Sequence, residues 1–210
     1  MSWVCVSAQE TVPDTLSSHR PDSLQPLPLV SEVPGSGGVE PKVLTHLSFK
    51  GIPIDGSMEA FSKGLVDAGY RQAGGGVYVG FFAGVENAAV VPVAFSGKVW
   101  KASVFLPALA TWSGVKEQYR KFKDQFAWKY VVAPSVVKES LSMKYREGSG
   151  QEMWGFESGM SVYKTVFEFP DGQIVLYIAY DKASGGMRVC IDYIDRVNEL
   201  LKEENDMKDL

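Results

Sequence analysis

Residues 77–107 read VYVGFFAGVENAAVVPVAFSGKVWKASVFLP, and the way this stretch divides decides the fold. Three runs rich in β-branched and aromatic residues, VYVGFFAG (77–84), AAVVPVAF (88–95) and KVWKASVFLP (98–107), stand between short breaks. That composition predicts three strands. Ser96-Gly97-Lys98 has the chemistry of a tight hairpin, and strands joined so closely pair antiparallel. In the third run Trp100, Ala102, Val104 and Leu106 share one face, while Lys101 and Ser103 point away. Pro92 has no amide hydrogen, so its strand is expected at an edge or carrying a bulge.

Immediately downstream, Trp112, Val115, Tyr119, Phe122 and Phe126 recur at steps of three and four, with charged residues between them. The spacing predicts an amphipathic helix of four or five turns over 111–128. A second meander follows: MSVYKTVFEF (160–169), QIVLYIAYD (173–181) and GGMRVCIDYI (185–194). Pro170-Asp171-Gly172 turns the first hairpin of that set. In the last run Met187, Val189, Ile191 and Tyr193 share a face and Cys190 lies opposite, packed against a helix or a second layer. Between helix and meander, APSVVKESL (133–141) reads as a short helix starting at Ser135, and REGSGQE (146–152) as a loop. The end, DRVNELLKEENDMKDL (195–210), is a polar helix.

Upstream, LSFKGIPID (47–55) alternates like a strand. Ser57 then caps a helix carrying Met58, Phe61, Leu65 and Ala68, Gly69 stops it, and Gly74-Gly75-Gly76 is a loop. A helix followed by a three-strand meander therefore occurs twice, at about 44–107 and 111–195, without residue identity between the copies. The expected fold is α+β over 43–210: one antiparallel sheet built from the two units, with the helices packed on one face.

Residues 9–42 are dominated by Pro, Ser and Gly and keep no period, which predicts a flexible linker. Its one apolar island, LQPLPLV (24–30), is expected to be disordered or docked. Before it, WVCVSAQE (3–10) has the ending of a secretory signal. Val6 and Ala8 stand at the small-residue positions before a cut, and Gln9 would start the mature chain. The basic front is missing and the apolar part is short, so residues 1–8 read as the remnant of a signal whose gene begins upstream of Met1. Cys5 is not preceded by the small residues of a lipoprotein anchor. The expected location is periplasmic or secreted.

Of the 210 residues, 45% are hydrophobic and 22% charged, and the net charge is −4. That suffices for a sizeable core and gives no electrostatic support for nucleic-acid binding. No apolar run has the length of a membrane span. The two histidines, His19 and His46, stand in no recognisable triad, and no Cys/His cluster has zinc spacing. The oxygen ligands of a calcium loop and the Lys-Ser/Thr of a phosphate loop are absent as well. Asp192 and Asp195 read as a helix start rather than a catalytic pair, and Asp55 as a turn former. No catalytic residue, metal site or cofactor is expected. Trp100, Trp112 and Trp128 fit a core or its margin. Trp154 stands in a polar loop beside Phe156, and these two are the candidate binding residues, a partner contact being one use of loop aromatics.

LSFKGIPIDGSMEAFSKGLVDAGY (47–70) and the Trp-to-Tyr helix WSGVKEQYRKFKDQF (112–126) resemble small uncharacterised secreted proteins of Bacteroidetes, which show F-x-G-I-P-I-D-G before a helix. The resemblance spans most of 44–200 and implies export, with no activity to carry over. The long Pro/Ser linker departs from it. In layout, the tandem helix-plus-meander is similar to β-lactamase inhibitor protein. The expected function is a non-enzymatic binding module of the cell envelope, its partner protein or ligand undefined. The alternatives are a proteinaceous inhibitor of a hydrolase and an enzyme with an unrecognised carboxylate site. A pocket with two converging carboxylates of raised pKa would mark the enzyme; a broad concave sheet with exposed aromatics and no deep pocket would mark a binder or an inhibitor.

Overall fold

The computed structural model describes residues 45–130 and 137–208. Residues 1–8 with Cys5, expected to be a signal remnant, residues 9–42 with His19 and LQPLPLV, expected to be a linker, and Ser135 lie outside the described residues. The chain runs through β1 (Ser48–Phe49), β2 (Ile52–Pro53), α1 (Met58–Asp67), β3 (Arg71–Gly74), β4 (Val77–Phe82), β5 (Val85–Phe95) and β6 (Lys98–Phe105). It continues through α2 (Trp112–Tyr130), β7 (Val137–Ser142), α3 (Glu152–Glu157), β8 (Val162–Phe169), β9 (Gly172–Asp181), β10 (Gly186–Asp195) and α4 (Arg196–Lys208).

The fold is α+β. β1 and β2 form a separate hairpin, and the other eight strands form one antiparallel sheet in the order β3-β4-β5-β6-β10-β9-β8-β7. Each helix-plus-meander unit gains an outer strand beyond the three expected, β3 in the first and β7 in the second. The last strands of the two units meet at the centre, where Val104 faces Ile191 and Ala102 faces Tyr193.

The inner face of the sheet carries Val90, Ala102, Val104, Phe167, Ile174, Leu176, Val189, Ile191 and Tyr193, all buried. Against it lie Phe61 and Leu65 of α1 and Val115, Tyr119, Phe122 and Phe126 of α2. These are the expected stripes, and burial of each such side chain contributes about 1.5–3 kcal/mol. Ser57 accepts the Ala60 amide at 3.2 Å and caps α1 as read. Thr111 Oγ1 accepts the Gly114 amide at 3.3 Å at the start of α2. The Tyr70 ring covers Gly80, where a Cβ would stand 2.7 Å from it, so this strand position needs glycine.

Several expectations are corrected. LSFKGIPID is a hairpin, not one strand: it turns at Lys50 and Gly51, both at positive φ (50° and 80°). Gly74–Gly76 is the turn between β3 and β4 rather than a free loop. Val137–Ser142 is strand β7, where a short helix was expected. The bulge expected of the Pro92 strand is present, at Val93/Ala94, and Pro92 itself lies two positions past Val90, the last residue of β5 aligned with β4. That bulge places an extra residue in β6 at Trp100, so Val99 enters the core and Trp100 stays half-buried. Trp128 is not a core residue; it is 84% exposed.

Candidate binding surface

Alternation along each strand sends every second side chain to the outer face, away from α1, α2 and α3. Val91 of β5, Ser103 and Phe105 of β6, Cys190 and Asp192 of β10, Val175 and Tyr177 of β9 and Val166 of β8 share that face through consecutive registers. Their centre is largely apolar. Around it stand three ion pairs: Lys101–Asp192 at 3.7 Å, Lys138–Glu168 at 2.7 Å and Arg188–Asp181. The Asp181 carboxyl is held low by hydrogen bonds from Ser184 and Arg188. Cys190 lies level with Phe105 and Tyr177, its neighbours on the same face, and is buried. Burial pushes its thiol up to about 12, which keeps it from acting as a thiolate nucleophile. Burial likewise pushes the Tyr177 phenol up. A cavity of about 330 Å³ opens on this face, lined by Val162, Lys164, Val175, Tyr177 and Asp192 among others.

This face was only partly legible in the sequence. Lys101, Ser103 and Cys190 were read as pointing away from the core. Phe105, Tyr177 and Val166 were not singled out, although a signal was present. AAVVPVAF in β5 and IVLYIAY in β9 are apolar on both faces, the mark of a strand covered on both sides.

The two sequence candidates separate. Residues 152–157 form α3 rather than a loop. Trp154 is 64% exposed on it, while Phe156 is buried and stacks on Trp112 with centroids 5.4 Å apart. Trp112 Nε1 donates to Glu147 at 2.9 Å, and Lys116 donates to the same oxygen. The Glu152 carboxyl is buried and accepts the Gly148 amide. Trp112, Lys116, Glu147 and Glu152 line a cavity of about 490 Å³. Two carboxyls in one cavity is the geometry that an acid–base site requires, but the electrostatics oppose it. Glu147 is held below the usual carboxylate range, chiefly by the Lys116 hydrogen bond, and so is a poor proton donor. The carboxyl that burial raises, Glu199 on α4, is hydrogen-bonded by Gln173 at 3.4 Å and is not part of this cavity.

Asp192 and Asp195 do not form a pair. Asp195 is buried and accepts the Asn198 amide at 2.9 Å, the helix-start role expected of it. It also accepts the Leu47 amide at 2.9 Å and lies 3.1 Å from His46 Nδ1. Asn198 donates in turn to the carbonyls of Ile54 and Val99. His46 is thus part of an anchor that ties the β1–β2 hairpin to the sheet. Among the described residues no hydroxyl or thiol hydrogen-bonds it, and no group of three His, Cys, Asp or Glu is arranged to hold a metal ion. Nor is any described helix long and apolar enough to cross a membrane.

No protein-family model matches this chain, and no curated protein or solved structure is significantly similar to it.

Proposed function

We propose that the chain is a non-enzymatic binding module that lays the outer face of its sheet against a protein partner. One observation carries the reading: β5 and β9 are apolar on both faces, yet α1, α2 and α3 cover only one. Val91, Phe105, Val166 and Tyr177 are half-buried on this face and Val175 is buried, so the face presents an apolar strip, and apolar strips rimmed by charge are used for contact. Its layout, with Val91, Phe105, Val175 and Val166 inside a ring of Lys101–Asp192, Arg188–Asp181 and Lys138–Glu168, has the apolar centre and polar rim of protein interfaces. The depressed Glu147 weighs against an acid–base enzyme at the cavity where two carboxyls meet.

The partner is placed in a bacterial cell envelope on sequence grounds, the VSAQE ending and the likeness to secreted Bacteroidetes proteins. The likeness in layout to β-lactamase inhibitor protein makes hydrolases the first partner class to assay. The test is photo-crosslinking in envelope extracts, with a photoreactive residue at Val166 on the outer face or at Glu117 on the exposed side of α2. A specific adduct from position 166 alone supports the reading. Adducts from 117 alone, or equal labelling from both, reject it.

A further inference from the structure

A second surface, on the helix side of the sheet, carries an inference that is independent of the outer face. A groove of about 410 Å³ opens between the β1–β2 turn, the β4–β5 turn and the last turns of α2. Its floor is aromatic: Phe82, Phe122, Phe126 and Tyr193 line it, and each is at least nine-tenths buried. Phe82 and Phe122 stack with centroids 5.8 Å apart and planes 13° apart, and Phe49 continues the column behind Phe82 at 5.9 Å and 4°. Trp128 forms one wall and is the most exposed of the large apolar side chains. An indole this exposed offers ring surface for stacking.

The polar groups at this groove are of one sign. Lys50 and Lys129 line it together with the neutral Gln125, and no carboxylate does. Among the described residues neither ammonium takes part in an ion pair; Lys50 donates to the Phe81 carbonyl at 3.1 Å. Two of the rim positions, Lys50 and Ala83, hold positive φ values of 50° and 45° without being glycine. Each is the first residue of a two-residue turn whose second residue is glycine, Lys50-Gly51 and Ala83-Gly84, and the turns fix these two rim positions. Each ammonium also lies over an aromatic ring of the protein, Lys50 Nζ 5.0 Å from the Tyr70 centroid and Lys129 Nζ 4.9 Å from that of Tyr130. Apolar walls with a few charges are the usual composition of a small-molecule site, and two ammoniums with no carboxylate lining the groove favour an anion.

We infer that this groove binds a small aromatic carboxylate. Its ring lies against the Trp128 indole at the edge of the Phe82–Phe122 column, and its carboxylate reaches Lys50 and Lys129. The exposed, flat indole favours a planar ring over a flexible acyl chain, because stacking rewards planarity.

The test is an NMR titration of the full chain, following the indole N–H signals of its five tryptophans. The probes are naphthoate, the neutral naphthylmethanol and the cationic naphthylmethylamine. Naphthoate is expected to shift the Trp128 signal selectively and to bind at least tenfold more tightly than the alcohol, with the amine weaker still. Trp128→Ala and Lys129→Met, both at exposed positions, should each weaken naphthoate at least tenfold, and Trp154→Ala should leave it unchanged. Equal affinity for the three probes, comparable shifts at all five indoles, or undiminished binding to Trp128→Ala and Lys129→Met overturns the assignment.

Discussion

Lys101 of β6 and Asp192 of β10 face each other across the central seam of the sheet, Nζ 3.7 Å from Oδ2, on the face that α1, α2 and α3 leave uncovered. The two side chains are 24% and 14% exposed, and Asp192 Oδ1 has no hydrogen-bond partner among the described residues. The pair is long, half-dry and incompletely satisfied. Removing only its cation strands the carboxylate, whereas neutralising the carboxylate removes the group that is poorly solvated. Lys101→Met should therefore cost about 1–3 kcal/mol, Asp192→Asn should cost less, and the double variant less than Lys101→Met alone. Urea unfolding of the four proteins checks this; equal costs for the two single variants would mean that the pair is solvated.

Phe122 is 1% exposed in the middle of the α2 stripe, stacked on Phe82, and Lys121 beside it is exposed. Phe122→Ala is expected to cost about 3–5 kcal/mol by loss of contacts and the cavity left behind. Lys121→Ala should stay within about 0.5 kcal/mol. Comparable losses in thermal or urea unfolding would show that the stripe does not face the core.

Trp154 and Phe156 stand two residues apart on α3 and should behave oppositely. Phe156→Ala removes a buried ring stacked on Trp112 and should cost about 3–5 kcal/mol. Trp154→Ala truncates an exposed ring and should change stability by no more than about 0.5 kcal/mol. The same unfolding measurements decide it. A large loss in Trp154→Ala would mean that the indole packs rather than projects.

The architecture was legible wherever one face of an element is buried and the other is wet. Phe61 and Leu65, the α2 stripe, and the alternation of Met187, Val189, Ile191 and Tyr193 all carry that contrast, and each was read correctly. The edge strands carry none. All four residues of β3 and five of the six in β7 are exposed, so Arg71–Gly74 and Val137–Ser142 lack the alternation that betrays a half-buried strand. Lys50 at φ 50° hides a two-residue turn, because such turns usually advertise themselves with Asn-Gly or Asp-Gly. Trp128 falls two residues after Phe126, off the stripe, and a six-residue helix such as α3 is too short to display a period. Of the candidate surface, the sequence carried the doubly apolar runs of β5 and β9 but not the placement of α1, α2 and α3 on one side of them.

Glu199 gives the pH test. Burial raises its folded carboxyl above the ordinary range, with Glu203 adding to the effect. A raised acid favours the protonated form in the folded state, so its charge opposes folding at neutral pH, and that penalty fades as pH falls through the folded value. Glu199→Gln should therefore be more stable than the parent at pH 7 and converge with it below the usual carboxylate range. Urea midpoints across pH check this; an offset independent of pH would show that the carboxyl is not perturbed.

The outer face is the centre of the functional account, and the affinity of the partner captured from position 166 tests it most directly. Val166→Asp places a charge in the apolar centre, whereas Glu117→Lys changes charge on the exposed side of α2. With folding confirmed for both, Val166→Asp is expected to weaken the complex by about 2 kcal/mol or more, the scale of an interface hot spot, and Glu117→Lys to leave it unchanged. Equal affinities for the two variants, or loss in Glu117→Lys alone, would contradict the assignment of the sheet as the binding face.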